Sequence, residues 1–543
     1  MIRTKKTNLN NLAKILLIVF FLAGFNFAQF RNYRVSAPGS NSPEEVTIAI
    51  NPLEPNVLAA GANISYSFRS ENSGKTWSQQ NLSSIYGVWG DPVTRFDAHG
   101  NLYFVHLSNP GNGYWIDRIV IQKSTDNGVT FNQGTHTGVY PPHEQDKAWI
   151  AIDMTDSPYK DNLYVTWTEF DSYGSTNPND SSRILFSKSS DFAETWSEAK
   201  VISDKSGDCV DADNTDEGAV PAVGPNGEIY VAWSGPYGIM FDKSLDGGET
   251  WGKDIFVTDQ IGGWDYGVSG VYRANGLPVT VCDTSHSPTR GNIYVMWTDQ
   301  RNGDTNPDVF IIKSTDGGET WGDVVRVNND NTERPQFFAA MAVDQTNGNI
   351  YVSFYDRRNT TGTDTEYYLA RSTDGGETFD NYVVTDAPFP MFSQVFFGDY
   401  TDIAAYEGKI YPIWMETDAS HNLSVWTAPI NDSDLPTGVN DNIGAVPSEF
   451  TLEQNYPNPF GNKSFSGEDF TTIEFSLKRE SFVTLKVYDI LGSEITTILN
   501  KVENAGVHDV RFFAGRLNLT SGIYFYRLQA GSFSQTKKMT IIR

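Results

Sequence analysis

The sequence has few of the residues that staple small folds or bind phosphate groups. Only two of its 543 residues are cysteines, Cys209 and Cys282, which excludes a disulfide-rich scaffold and leaves open one pair or two separate buried thiols. Its seven histidines are scattered, without the spacing of a zinc site. Basic residues number 40 against 67 acidic ones, and the net charge of −27 argues against nucleic acid as a partner.

Long apolar runs and helical periodicity are also missing beyond the N-terminus. There, Arg3, Lys5 and Lys6 precede an apolar run over residues 15–25, and Ala28 follows it. This pattern is typical of a cleavable signal peptide, which we place at residues 1–28. The run is shorter than a membrane-spanning helix needs. We therefore expect an exported protein whose mature chain has no transmembrane segment.

One octapeptide, Ser-x-Asp-x-Gly-x-Thr-Trp/Phe, recurs along most of the chain. An Asp carboxylate accepts backbone N–H groups inside a turn, Gly adopts the positive φ that a tight hairpin needs, and the final aromatic residue anchors the hairpin. Asn72 replaces the Asp in the first copy, and Ala193 replaces the Gly in the third. The copies occupy residues 70–77, 124–131, 189–196, 244–251, 314–321 and 372–379, and the Asp position is filled by Asp126, Asp191, Asp246, Asp316 and Asp374 in the last five.

This octapeptide resembles the Asp box of the sialidase-like β-propellers. The resemblance implies an all-β propeller over residues 29–430, in which each box is a structural hairpin remote from the ligand pocket. A second repeat precedes the boxes and reads as an apolar strand such as 229–231 (IYV) or 293–295 (IYV). Continuous apolar character predicts strands buried on both faces, as stacked blades require.

The repeat count favours seven blades, with six as the alternative. The last unit, over residues 400–430, ends without a box and without an outermost strand. Residues 32–37 (NYRVSA) resemble the outer strand at 324–328 (VVRVN). We predict that this N-terminal strand completes the seventh blade and closes the ring, which removes an exposed edge.

The composition changes at residues 431–448, where Asp, Asn, Pro and Gly predict a linker. In residues 449–543, segments 473–477 and 483–487 alternate as half-buried strands do, which favours an immunoglobulin-like β-sandwich. Segments 452–460 (LEQNYPNPF), 505–508 (AGVH), 521–524 (SGIY) and 536–539 (TKKM) resemble the type A sorting domain of type IX secretion. That resemblance implies the secretion machinery as a partner and the outer cell surface or the medium as the destination; a carbohydrate-binding sandwich is the alternative.

Ligand chemistry is expected on the propeller face opposite the boxes, where the long connections emerge. Two of these connections repeat an Asp followed by Arg, and the guanidinium fork suits carboxylates or sugar hydroxyls. An Asp–Arg pair that only fastens neighbouring blades is the alternative. The candidate substrate-binding residues are Asp146, Asp299, Arg301, Asp356 and Arg357.

Acidic residues gather at the entries to the predicted innermost strands. Carboxylates around one axis repel each other and raise at least one pKa, as a general acid requires. Calcium would relieve the same repulsion, although no cofactor is required. Solvated surface acids are the alternative. The candidate catalytic residues are Asp91, Glu217, Asp399 and Asp402, and the candidate calcium ligands are Asp211, Asp213 and Asp216, beside Asp208.

The sequence thus predicts a secreted or cell-surface carbohydrate-active propeller with a glycan or polysaccharide as its partner. On the resemblance, this is an exo-acting glycoside hydrolase; a non-catalytic glycan- or protein-binding propeller is the alternative. Residues 33–36 (YRVS) echo the Phe/Tyr-Arg-Ile-Pro signature of working sialidases, but Ser36 stands where that family has Pro. A sialidase mechanism does not carry over at that position.

Overall fold

The computed structural model describes residues 30–111, 113–435, 450–455, 458–461, 470–479, 481–503, 506–514, 517, 519–531 and 533–542. The predicted signal peptide and most of the predicted linker lie outside these residues. The chain divides into two compact units, one on each side of Leu435. In the part that is described, no helix is long and apolar enough to cross a membrane.

The first unit consists of antiparallel four-stranded sheets that follow one another along the chain. A short N-terminal strand comes first, and three sheets follow it in chain order. They are β1 (Tyr33–Arg34); sheet 1 with β2 (Thr47–Ile50), β3 (Leu58–Ala62), β4 (Tyr66–Ser70) and β5 (Ser78–Asn81); sheet 2 with β6 (Val93–Phe96), β7 (Leu102–Leu107), β8 (Ile119–Ser124) and β9 (Thr135–Thr137); and sheet 3 with β10 (Glu144–Ile152), β11 (Leu163–Phe170), β12 (Ser182–Ser189) and β13 (Lys200–Val201).

Four further sheets follow, and a two-stranded hairpin is inserted between the first two of them. They are sheet 4 with β14 (Glu217–Val223), β15 (Ile229–Gly235), β16 (Gly238–Ser244) and β17 (Ile255–Thr258); the inserted hairpin β18 (Asp265–Tyr266) and β19 (Ala274–Asn275); sheet 5 with β20 (Val279–Cys282), β21 (Ile293–Asp299), β22 (Asp308–Ser314) and β23 (Val325–Arg326); sheet 6 with β24 (Gln336–Val343), β25 (Ile350–Asp356), β26 (Asp364–Ser372), β27 (Asp380–Val383) and the added β28 (Phe389–Pro390); and sheet 7 with β29 (Asp402–Tyr406), β30 (Lys409–Thr417), β31 (Leu423–Thr427) and the added β32 (Ile430–Asn431).

The first strands of the seven sheets surround one axis. Strands β2, β6, β10, β14, β20, β24 and β29 are neighbours in that cyclic order, with β29 next to β2. The second strand of each sheet is the most deeply buried, as in β11 and β21, whose residues are all buried. Their β-branched and aromatic side chains pack on both faces, which is why these segments read as continuous apolar runs. The unit is therefore a β-propeller.

The N-terminal strand closes the ring. Tyr33 pairs with Thr427 and Arg34 with Trp426, so β1 is the fourth strand of sheet 7. Phe30 and Val35, on either side of β1, are buried in the same core as the strands of sheets 1, 6 and 7. This is the closure predicted from the resemblance of residues 32–37 to an outer strand.

Each Asp box lies between the third and fourth strands of its sheet and is held by its own side chains. In the box of sheet 5, Thr320 donates to Asp316 through its backbone N–H (2.9 Å) and its hydroxyl (2.5 Å), and Gly318 N–H donates to Ser314 Oγ (2.8 Å). These bonds lower the pKa of Asp316 to about 2. Ala193 takes the glycine position of its box at φ 64. The boxes are thus self-contained turns, as expected.

The boxes also join neighbouring sheets. A lysine on the third strand of one sheet donates its ammonium group to a backbone carbonyl in the box of the next sheet. The pairs are Lys123 with Phe192 (3.1 Å), Lys188 with Gly247 (2.8 Å), Lys243 with Gly317 (2.7 Å) and Lys313 with Gly375 (3.0 Å). These four contacts join neighbouring blades on the box face.

The first residues of the predicted linker pack on the propeller. Strand β32 pairs with β30, and a 3₁₀ turn, η1 (Asp432–Asp434), follows it. Asp432 accepts a hydrogen bond from the Tyr351 hydroxyl (2.9 Å) and forms an ion pair with Arg371 (3.3 Å). Leu435 is buried. The propeller therefore extends to Leu435, beyond the residue 430 that composition suggested, because these side-chain contacts leave no periodic signal in the sequence.

The second unit is also built of strands. A three-stranded sheet has the order β33-β34-β37, and a four-stranded sheet has the order β36-β35-β38-β39. Both contribute to one apolar core, and β35 alternates so that Val483, Leu485 and Val487 point inward. The strands are β33 (Thr451–Leu452), β34 (Phe470–Leu477), β35 (Ser481–Tyr488), β36 (Glu494–Glu503), β37 (Gly506–Phe513), β38 (Gly522–Ala530) and β39 (Phe533–Ile541).

Candidate functional site

The propeller face opposite the boxes, which we call the mouth, gathers charged residues at the entries to the innermost strands. Six carboxyl groups surround two cationic groups there, and the eight residues come from sheets 1, 2, 3, 4 and 7 and from the inserted hairpin. We call this set the mouth cluster: Glu45, Asp91, Asp146, Lys147, Asp211, Glu217, Arg273 and Asp399.

Lys147 is the inner cation of the mouth cluster. A β-bulge interrupts the pairing of β10 with β11 between Asp146 and Trp149, and Lys147 adopts φ 51 there. Such a bulge re-aims one side chain relative to its strand. The Lys147 ammonium group lies 3.4 Å from Asp91 Oδ2 and 3.5 Å from Glu45 Oε1, and it also bonds Asp399. Burial lowers the pKa of Lys147, but the Asp399, Asp91 and Glu45 carboxylates outweigh burial and hold that pKa well above its usual value.

Arg273 is the outer cation and reaches the axis from the inserted hairpin. Its guanidinium group donates to Asp399 Oδ1 (2.9 Å) and to Asp211 Oδ2 (3.0 Å). The Tyr173 hydroxyl donates to the same Asp211 oxygen (2.6 Å). Burial raises the pKa of Asp399, but Lys147 and Arg273 outweigh burial and hold it well below its usual range. Asp399 is therefore an ionised carboxylate shared by both cations.

Glu217 has the opposite character. It is buried at the start of β14, and neither carboxyl oxygen has a partner at hydrogen-bonding geometry among the described residues. Burial, together with the nearby Asp211 and Asp146 carboxylates, raises the pKa of Glu217 well above its usual value. Burial and the neighbouring Asp91 also raise the pKa of Asp146. The mouth cluster therefore combines a carboxylate whose pKa is lowered with carboxyl groups whose pKa is raised.

Asp402 is the first residue of β29 and joins neighbouring sheets. Its Oδ2 accepts hydrogen bonds from Thr47 Oγ1 (2.9 Å), Ile48 N–H (3.1 Å) and Arg95 Nη1 (2.9 Å), which belong to sheets 1 and 2. A carboxylate can accept several hydrogen bonds, and three of those available to Asp402 come from neighbouring sheets. These bonds fasten sheet 7 to its neighbours, and Asp402 also lines the axial cavity.

The Asp–Arg loops form pairs of their own. Arg301 binds Asp299 (2.6 Å) and stacks 4.5 Å from the centre of the Phe310 ring. Asp356 pairs with Arg358 rather than Arg357 (2.6 Å). Each of these Asp–Arg ion pairs closes within one loop and does not itself join neighbouring blades, so the substrate-binding role and the blade-fastening alternative both stay predictions.

Arg357 is buried and holds the inserted segment. Its Nη1 donates to the Ser269 carbonyl (2.6 Å) and its Nε to Thr365 Oγ1 (2.9 Å), and burial lowers its pKa to about 10. Ser269 lies between β18 and β19, the hairpin that carries Arg273 to the axis. Arg357 therefore positions Arg273 from a distance.

Three of the four acids of the predicted calcium loop accept hydrogen bonds from different partners. Asp208 accepts from the Thr215 hydroxyl (3.0 Å), Asp211 accepts from Tyr173 and Arg273, and Asp213 accepts from Asp265 N–H (2.8 Å). Over the residues that the structure describes, no group of three or more His, Cys, Asp or Glu side chains is arranged to hold a metal ion. Calcium binding stays a prediction. The two cysteines are both free and buried.

Asp216 is buried, and its Oδ2 has no hydrogen-bond partner among the described residues. Burial and, to a smaller extent, the nearby Asp254 carboxylate raise the pKa of Asp216 to about 8. Because the folded state then holds a proton that the unfolded chain releases near pH 4, stability falls as the pH rises from about 4 to 8. We expect Asp216→Asn to leave the melting temperature near that of the wild type at pH 5 and to raise it at pH 8.5. Thermal unfolding across this range measures the difference, with exposed Asp156→Asn as the control; equal slopes for wild type and Asp216→Asn would contradict the assignment.

A cavity of about 830 Å³ runs along the axis and is lined by the innermost strands of all seven sheets. Its wall is mostly apolar, with Ile152, Val281 and Val343 among the lining residues. Lys147 and Asp399 line it too, so the mouth cluster borders the axial cavity.

The structure brings together four of the residues selected from the sequence: Asp91, Asp146, Glu217 and Asp399. It adds Asp211, which had been selected as a calcium ligand. Sequence reasoning missed Glu45, Lys147, Arg273, Tyr173 and Asn275, whose Nδ2 donates to the Asp399 carbonyl (2.9 Å). The only available signal was the length of the segment between β17 and β20, which exceeds a simple blade-to-blade connection.

Residues 454–542 match a protein family described as the secretion system C-terminal sorting domain. The C-terminal unit is therefore a type IX sorting domain, and the protein is secreted to the cell surface or beyond it. No curated protein matches the chain.

Many solved structures share features of the chain at low identity. A Hadza microbial sialidase, Hz136, is 13% identical over 70% of this chain and 74% of its own, with a TM-score of 0.38. The NanB sialidase of Streptococcus pneumoniae is 12% identical over 67% and 72%, with a TM-score of 0.43. A polysaccharide lyase, the PL25 ulvan lyase, is 12% identical over 74% and 95%, with a TM-score of 0.43. The fold rests on the sheets described above, and these similarities assign no activity.

Proposed function

We propose that the propeller is a secreted glycan-binding module and that the mouth is its binding face. The observation that carries the proposal is the convergence of charged hydrogen-bonding groups with exposed aromatic side chains at one end of the axis. Arg273 keeps 31% of its side chain exposed while its guanidinium group is fixed by Asp399 and Asp211. Fixed, charge-assisted donors and acceptors suit sugar hydroxyls, and aromatic faces suit the apolar side of a sugar ring.

Preorganisation supports the same proposal. Arg273 is held from one side by two carboxylates and from behind by the segment that Arg357 fastens, so its donors pay little further ordering entropy on binding. The partly exposed Asp211 supplies an acceptor beside it. Polar groups that are already held in place stabilise a bound ligand more than mobile surface carboxylates do, because they need not reorganise on binding.

The test is binding of the mature, full-length protein to a glycan array, followed by calorimetry on any ligand found. Arg273→Lys keeps the charge but loses the guanidinium fork, so we expect at least about tenfold weaker binding with a similar melting temperature. Arg326→Lys is the matched control, because Arg326 on β23 is 32% exposed and also faces a carboxylate, Asp308. Equal affinities for wild type and Arg273→Lys would move the site away from the mouth.

Glycoside hydrolysis is a second candidate function, favoured by one observation. Within one cluster the pKa of Glu217 is raised and the pKa of Asp399 is lowered, and carboxyl groups with pKa values driven apart are the usual acid and base of glycosidases. Sugar release in the same array, abolished in Glu217→Gln but retained in Glu194→Gln on the box face, would support hydrolysis. Binding without sugar release by the wild type would leave the module non-catalytic.

A further inference from the structure

Five aromatic side chains cross the mouth on both sides of Arg273. We call them the aromatic strip: Trp89, Trp115, Tyr173, Phe396 and Tyr272. Trp89 and Trp115 leave 39% and 41% of their surface exposed, and Tyr272 leaves 64% exposed. Large aromatic side chains are usually buried, so several exposed on one face mark a binding surface.

The aromatic strip is continuous with the mouth cluster. On one side, the Trp89 and Trp115 rings meet edge to face at 6.5 Å, and Trp115 meets Tyr173 at 5.5 Å. The Tyr173 hydroxyl then reaches Asp211, which binds Arg273. On the other side, the Arg273 guanidinium group lies 5.5 Å from the centre of the Phe396 ring, and Phe396 meets Tyr272 at 5.8 Å.

The order of the aromatic side chains along the strip sets the size of the ligand. A single sugar ring covers one aromatic side chain, whereas the aromatic strip places two exposed indoles on one side of the charged centre and an exposed phenol on the other. A ligand that contacts both ends must therefore be a chain of several sugars. The contacts are apolar faces flanking polar groups, as in grooves that hold polymers rather than pockets that hold one ring.

The charge sets the class of the sugar chain. The mouth cluster offers an acidic ligand no unpaired cation, because Lys147 and Arg273 already bind carboxylates. The whole chain carries a net charge of −27. An acidic polymer would meet a field of its own sign, which slows its approach and weakens its binding.

Resting on the glycan-binding function proposed above, we infer that the mouth binds an uncharged polysaccharide along the aromatic strip, with a middle sugar at Arg273. Sialylated, sulfated and uronic-acid polymers are poor ligands. Most of the free energy of binding comes from ring stacking and hydroxyl hydrogen bonds, so the affinity depends little on salt.

The experiment titrates the mature protein with neutral oligosaccharides of two to six residues, built on glucose, mannose, xylose or galactose, and with sulfated and uronic-acid oligosaccharides. For at least one neutral series we expect the affinity to rise with the length of the oligosaccharide. We also expect it to change little between about 0.05 and about 0.5 M NaCl, a range over which salt strongly screens interactions between exposed charges. Trp115→Ala and Tyr272→Ala should each weaken binding of the hexasaccharide by about tenfold. Phe256→Ala, an exposed aromatic on the outer strand β17, should not.

The outcomes separate the two proposals. Binding that does not increase with length, or tighter binding of an acidic series, overturns the uncharged-polymer inference while Arg273 dependence keeps the glycan-binding function. If only one of the two variants, Trp115→Ala or Tyr272→Ala, weakens binding, the ligand does not span the aromatic strip. That result also overturns the inference. Absence of binding to any glycan, or binding that the Arg273→Lys variant leaves unchanged, overturns both.

Discussion

Deleting residues 30–39 is expected to lower the melting temperature sharply, because this segment supplies the fourth strand of sheet 7. The deletion removes the pairing of Tyr33 with Thr427 and exposes the edge of β31. It also removes Phe30 and Val35 from the core, and burial of two such side chains contributes about 3–6 kcal/mol. Thermal and urea unfolding of the purified protein measure the loss.

Two variants make this test specific. Val35→Asp introduces a charge at a buried position next to β1 and should reproduce much of the loss, whereas Arg31→Asp at an exposed position should not. A synthetic peptide spanning residues 30–40, added to the deleted protein, should raise its melting temperature again. If the deletion leaves stability unchanged, β1 does not close the ring.

Replacing Lys147 by Met is expected to cost about 3–5 kcal/mol of unfolding free energy at neutral pH, the usual effect of removing one partner from a buried ion pair. Met preserves the apolar stem of Lys, so the change isolates the charge. Asp399, Asp91 and Glu45 then lose a cation within 3.5 Å or less in a buried site. Chemical unfolding of both proteins measures the difference.

The pH dependence identifies the cause. Asp399 has a lowered pKa in the folded state, so its stabilising effect is present above the unfolded pKa near 4 and is lost as the pH falls through the folded value. Without Lys147, Asp399 keeps Arg273 as a partner, but Asp91 and Glu45 lose the cation they pair with in the mouth cluster and can take up protons instead. The deficit of Lys147→Met should therefore shrink as the pH falls toward about 4.

Lys160→Met is the control for that experiment, because Lys160 pairs with the exposed Asp156 and an exposed ion pair contributes little to stability. A deficit of the same size in both variants, or one that does not change with pH, would contradict the role of Lys147 as the cation that holds the mouth cluster together.

The sequence predicted the propeller because its defining interactions are local. In each box, the bonded groups lie within four residues of each other, as Asp374 and Thr378 do, so the octapeptide contains all the chemistry of the turn. The sorting domain is equally visible, since its signature segments are matched directly by the family at residues 454–542. Even the closing strand could be inferred, because residues 32–37 repeat the pattern of the other outer strands.

The candidate site was only partly predictable. The repeat showed where the chain enters each innermost strand, and Asp91, Asp146, Glu217 and Asp399 were selected for that reason. The structure brings these four residues together. Arg273 could not be found, because nothing in its neighbours indicates that an inserted hairpin carries it to the axis. Arg301 and Arg357 were selected for their residue type. Arg301 pairs with Asp299 within its own loop, whereas the Ser269 carbonyl that Arg357 binds depends on the packing between loops.

The sequence by itself thus determined the turns, the strands, the ring and the export route, since short-range hydrogen bonds and apolar periodicity act between neighbouring residues. Only the tertiary structure decided which charges share a site. Thr47 and Asp402 bond across 355 positions, and Lys147 and Asp399 across 252. The raised pKa of Glu217 and the lowered pKa of Asp399 follow from burial and from partners that are distant in sequence. Residue type fixes how a group can react, but the surrounding field that selects its charge state exists only when the ring is closed.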